Sequence, residues 1–101
     1  ASRQARVFKT ALQVAISVDE RNRRSVLELV AGDRPGLLCD IGKVLWEERV
    51  ELQAAKIGTF GERAEDVFYI TDRALQPLDE AAAERLRNRL AETLGAPRAA
   101  A

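Results

Sequence analysis

The period at which apolar residues recur changes along this chain, and each change limits what the segment can become. Val14, Ile16 and Val18 alternate with Gln13, Ala15 and Ser17. After the polar stretch DERNRRS the alternation resumes, with Leu27, Leu29 and Ala31 on one face and Val26, Glu28 and Val30 on the other. A period of two belongs to half-buried strands, so the pair predicts an antiparallel hairpin. From Pro35 the period lengthens. Leu37, Leu38, Ile41, Val44 and Leu45 share one helical stripe, with Asp40, Lys43, Glu47 and Glu48 largely off it, which predicts a helix ending near Arg49. VELQAAKIGTF and EDVFYITD are β-rich runs around the turn GERA and predict a second hairpin. A last helix is expected after Pro77, with Asp79 as N-cap and Ala82, Ala83, Leu86, Leu90 and Leu94 as its buried stripe. Gly95 and Pro97 stop it.

The order β-β-α-β-β-α implies an α+β chain, nearly the β-α-β-β-α-β ferredoxin-like unit with one strand moved from the end to the beginning. The move is physically sensible, because residues 13–18 would fill the sheet edge that the missing last strand leaves open. The expected architecture is a four-stranded antiparallel sheet with both helices on one face, since two stripes facing opposite ways would each need a core. With 101 residues the chain is expected to hold one domain, residues 13–95, between an N-terminal extension (1–12) and a frayed tail (96–101).

Composition removes several function classes. Sixteen basic and sixteen acidic residues cancel, so no overall field gathers nucleic acid or an anionic membrane, and neither is an expected partner. The chain lacks a run of about 18 apolar residues and a secretory core near its start, and Cys39 has no cysteine to pair with. Cytoplasmic location is the expectation. With no histidine and one cysteine there is no Cys/His zinc set and no Ser-His or Cys-His nucleophile pair, and neither GxxxxGK[ST] nor GxGxxG occurs. The adjacent acids Asp19-Glu20, Glu47-Glu48 and Glu65-Asp66 read as solvated turns and helix ends. Catalysis by this chain alone is not expected. Trp46 reads as a core or interface anchor, Cys39 as a small packed side chain, and Glu62-Arg63 as a solvated hairpin tip.

The stretch GDRPGLLCDIG carries the candidate site. Pro35 suits a first helical position and Asp33 is placed to cap the helix or complement its dipole. Gly36 is poorer there than alanine by up to about 1 kcal/mol, which suggests close approach of a ligand or of sheet backbone. N–H groups of Gly36, Leu37 and Leu38 at a positive helix end would donate to a carboxylate; helix punctuation alone is the other reading.

DRPGLL followed by AAKIGTFGERAEDVFYITD resembles the ACT domain, a family of amino-acid-sensing regulatory modules. The combination of Ala55-Lys56-Ile57, Thr59, Gly61-Glu62-Arg63 and Asp66-Val67-Phe68-Tyr69 resembles the C-terminal ACT domain of the bacterial enzyme family that attaches UMP to the PII nitrogen-regulatory protein and removes it. The likeness runs from about Val14 to Leu94. It implies an allosteric role, with glutamine or another amino acid as ligand, a second ACT domain as partner, PII reached through the parent enzyme, and magnesium for catalytic domains elsewhere. It also implies a ligand between the turn Asp33, Arg34, Pro35, Gly36, Leu37 and Leu38 and, on a facing domain, Glu51, Leu52, Gln53 and Ala54. Glu51 departs from the asparagine that some ACT domains carry at the matching position. A module for dimerisation or docking that binds no ligand, or a regulator of an amino-acid biosynthetic enzyme, would use the same fold.

Overall fold

The structure is a computed structural model that describes residues 11–95. The expected tail, and all but two residues of the expected N-terminal extension, lie outside the described residues. The elements run β1 (Gln13–Asp19), β2 (Arg24–Gly32), α1 (Leu37–Glu47), β3 (Glu51–Phe60), β4 (Arg63–Thr71) and α2 (Glu80–Gly95). The strands form one four-stranded sheet, β1-β2-β4-β3, with every neighbouring pair antiparallel. This is the ferredoxin-like α+β arrangement with the displaced first strand at one edge, where Ile16 stands opposite Leu27.

Alternation decides what the sheet buries. Leu27, Leu29 and Ala31 of β2 and Ala64, Phe68 and Ile70 of β4 point to one face and form a single core cluster with Leu37, Ile41, Val44, Leu45, Leu78, Leu86 and Leu90. Both helical stripes therefore meet the same face of the sheet. Val14 and Ile16 pack half-buried against this cluster, as do Ala82, Ala83 and Leu94. Leu12 reaches the far end of α2, where a Cβ on Gly95 would stand 3.6 Å from its side chain.

The helix ends follow local chemistry. The Asp79 carboxylate accepts the Ala82 N–H at 2.7 Å, the expected N-cap. At the end of α1, Arg49 takes a positive φ of 60°, its N–H bonds the Trp46 carbonyl at 3.1 Å, and the Val50 N–H bonds the Leu45 carbonyl at 3.0 Å. This is a Schellman stop with arginine where glycine is usual. Arg89 of α2 binds Glu47 at 2.5 Å and Glu48 at 3.1 Å, fastening the two helices.

Two expectations about α1 are corrected and a third is narrowed. Leu38, 48% exposed, does not belong to the core, Cys39 is exposed rather than packed, and Trp46, 83% exposed, is not a core anchor, which leaves its interface reading. The cause is the width of the helix layer. The sheet overhangs it at β3, which is exposed on both faces except at Gly58, and the side of α1 turned toward β3 is left without cover.

Candidate functional site

The turn between β2 and α1 starts the helix by backbone geometry rather than by a cap. Gly36 has φ 84°, a left-handed conformation that costs a residue with a Cβ about 1–2 kcal/mol, and no side chain caps the helix. This corrects two readings: α1 begins at Leu37 rather than at Pro35, and Asp33 does not cap it. Close packing is not why glycine stands here, since a Cβ at Gly36 would meet only Arg34 Nη1, at 3.9 Å. Asp33 is exposed, and its N–H bonds the Glu62 carbonyl at 2.8 Å, tying the turn to the β3–β4 hairpin.

The helix end keeps open donors. The Leu37 N–H bonds the Arg34 carbonyl at 3.2 Å and the Asp40 N–H bonds the Gly36 carbonyl at 2.9 Å, leaving the first-turn N–H groups of Leu38 and Cys39 without a backbone acceptor. Of the expected Gly36, Leu37 and Leu38 donors, Leu37 is thus taken and Leu38 is open, and Cys39 beside it offers a further N–H to an anion. Arg34 is already engaged. Its guanidinium binds Asp40 at 2.8 Å and the Pro35 carbonyl at 3.3 Å, folded back over the first turn.

A cavity of about 340 Å³ opens beside this helix end. Asp33, Arg34, Gly36, Leu37 and Leu38 line it; Pro35 does not. The rest of its wall comes from five residues outside the expected set: Cys39 of α1, Ile57 and Thr59 of β3, and Ala64 and Asp66 of β4. Glu51, Leu52, Gln53 and Ala54 lie at the opposite end of β3, with Gln53 at a bulge where the register against β4 slips between Leu52 and Ala54. Within one chain they do not meet the turn.

Asp66 departs from the expected solvated turn. It is 2% exposed, in the middle of a strand and not on a solvated turn. One carboxylate oxygen accepts the Gly58 N–H at 3.2 Å; the other is buried with no partner. Burial pushes its carboxyl above the ordinary value of 3.8, and the negative charge of Asp33 adds to this while the Gly58 N–H opposes it. Gly58 allows close approach: a Cβ there would stand 3.0 Å from the Phe60 ring and 3.3 Å from the Glu65 carbonyl. The signal for Asp66 was present, since it breaks the apolar phase of Ala64, Phe68 and Ile70.

The chain is similar to a small segment of a much longer enzyme. It is 48% identical over 96 residues to the bifunctional uridylyltransferase/uridylyl-removing enzyme of Methylococcus capsulatus, 94% of this chain and 11% of that protein. The enzyme of the same name from Pseudomonas aeruginosa is 50% identical over 93 residues, 91% of this chain and 10% of that protein. The one from Xanthomonas euvesicatoria pv. vesicatoria is 47% identical over 92 residues, 91% of this chain and 11% of that protein. The chain thus spans about a tenth of the length of the curated relatives it matches. No protein-family model matches it. Among the described residues no cluster of three or more potential ligands could hold a metal ion, and no helix is long and apolar enough to cross a membrane.

Proposed function

We propose that this chain is a regulatory, amino-acid-binding ACT domain of a uridylyltransferase/uridylyl-removing enzyme, and that it senses glutamine to set the balance between uridylylation and deuridylylation of PII. The observation that carries the reading is the cavity at the β2–α1 turn, in a segment about half identical to part of that enzyme. Magnesium would serve catalytic domains elsewhere in a longer chain.

The mechanism needs no reaction here. The ligand carboxylate would take the N–H groups of Leu38 and Cys39 at the positive end of α1, with the carboxylates that line the cavity beside its ammonium. A second ACT domain would complete the site. Antiparallel pairing of two β3 edges would bring the partner's Glu51–Ala54 segment to the end where this chain presents Ile57 and Thr59, and Gln53 of the partner subunit would offer both a donor and an acceptor to a side-chain amide. Binding would favour one arrangement of neighbouring domains to the extent that its affinity differs between arrangements.

Calorimetry and thermal melting with L-glutamine test this. At ten times its dissociation constant, a ligand that binds only the folded form adds about 1.4 kcal/mol, and the melting temperature of a domain this small should rise by several degrees. Gly36→Val should reduce that increment by forcing the turn out of its left-handed conformation. Asp33→Ala should weaken it at little cost to stability, because Asp33 caps nothing. Absence of any increment with millimolar glutamine would sink the reading. A docking module without a ligand then becomes the better account, favoured by the apolar exposure of Leu52, Ile57 and Phe60 along β3.

A further inference from the structure

Among the described residues the fully buried polar side chains are Ser25, Asp66 and Thr71. Two are satisfied: Ser25 Oγ accepts the Leu78 N–H at 3.0 Å, and Thr71 Oγ1 donates to the Asp72 carbonyl at 2.9 Å. Asp66 is different. It lines the cavity with one oxygen unpartnered, at a strand position whose neighbours in phase are alanine, phenylalanine and isoleucine. An apolar residue there would continue the core, whereas a buried carboxylate with an empty acceptor costs stability. The cation that also lines this cavity, Arg34, is spent on Asp40. The pocket therefore pairs an unsatisfied anion with the open N–H donors of a helix end, which is the complement of a zwitterion.

We propose that Asp66 is the buried anion that selects ligands bearing an ammonium group, holding the α-ammonium of an amino acid whose carboxylate lies on the Leu38 and Cys39 N–H groups. The assignment rests on the amino-acid-binding reading and deepens it. Asp33 stands exposed among the lining residues and adds negative charge, while the Gly58 bond fixes one oxygen of Asp66 and leaves the other for the ligand. A bare divalent cation is poorly served, since two carboxylates fall well short of the roughly six oxygen ligands that hard cations take. The residue is retained at the expense of stability, a trade common at binding sites.

The test crosses a ligand change with a protein change. Titrations of wild type and Asp66→Asn would use L-glutamine and glutaramate, which is glutamine with hydrogen in place of its ammonium group. Wild type should prefer glutamine by at least about tenfold, as expected for a charge-assisted bond. Asp66→Asn should lose that preference by binding glutamine more weakly and glutaramate no worse. Without ligand it should melt above wild type, whereas a merely structural Asp66 would make the variant melt lower. Equal binding of the two ligands by wild type overturns the proposal even if the variant fails to fold. Equal weakening of both ligands in the variant, or binding of magnesium or calcium alone at this site, also overturns it. Unchanged glutamine affinity in Asp66→Asn removes the role of Asp66 and leaves the glutamine reading standing. No glutamine binding by wild type overturns both.

Discussion

β1 and β3 bound the same sheet from opposite sides, and the core treats them differently. Along β1, Val14 and Ile16 pack half-buried against the cluster. Along β3, Leu52, Ile57 and Phe60 are 52%, 50% and 57% exposed. Two helices cover about three strands, so the fourth overhangs. An edge strand with apolar side chains on both faces is a template for pairing with another chain, and natural edges of this kind are usually blunted by charge or proline. β3 has two charges along its length, Glu51 at its start and Lys56 in its middle, and no proline between Glu51 and Phe60. Buried apolar contact is thus concentrated in β1, β2, β4 and the helices, and exposed apolar surface in β3.

The largest break of this comparison removes the packed edge. Deleting residues 1–19 takes away β1, uncovers the backbone edge of β2, and loses the burial of Val14 and Ile16, at about 1.5–3 kcal/mol for each fully buried side chain. Against a total stability of about 5–15 kcal/mol, the expected outcome is loss of cooperative melting by circular dichroism. A soluble fragment that still melts cooperatively would show that β1 is an accessory. A smaller contrast compares core with overhang. Leu29→Ala should cost about 2–5 kcal/mol in chemical denaturation. Leu52→Lys should stay within about 0.5 kcal/mol of wild type yet shift sedimentation toward the monomer. If Leu52→Lys leaves self-association untouched, β3 is not the interface.

The smallest expected effect is in the pH dependence, where each edge has a carboxylate shifted in its own direction. At the β1–β2 turn, the Asn22 side-chain amide holds Asp19 below 3.8, with lesser help from the Asn22 N–H and Arg24. Beside β3, burial holds Asp66 above 3.8. The signs oppose. A depressed carboxyl contributes stability above its unfolded value and loses it as pH falls through the folded one; a raised carboxyl carries a penalty at neutral pH that is relieved as pH falls through its folded value toward 3.8. Asn22→Ala should therefore lessen the loss of stability below pH 4. Asp66→Asn should remove a gain seen on acidification above it. Melting curves across pH for the two variants check both slopes.

The strands, both helical stripes and the moved first strand were legible because each leaves a phase in the residue pattern. Leu27, Leu29 and Ala31 were assigned to one face by alternation alone, and that face is the core. What a phase does not give is the width of the layer above it. Leu38 and Trp46 sit on α1, whose stripe is sound, but the overhang at β3 leaves them exposed. The turn was recognisable as special; its cause was not, because a glycine kept for a left-handed φ and one kept for close approach read alike, and Gly36 is the first kind while Gly58 is the second. Asp66 is masked in the sequence by Glu65, because adjacent acids are common on solvated turns. Its phase within β4 carried more information than its neighbour Glu65 did.

Leu12 and Gly95 lie side by side, so the backbone path nearly closes on itself. Joined there by a short linker and opened in the turn between Glu20 and Arg23, the same elements would read β-α-β-β-α-β, the ordinary ferredoxin-like order. The packing would not notice. What separates this chain from that order is where its covalent break falls, and that break sits beside β1, at the opposite side of the sheet from the exposed β3 edge.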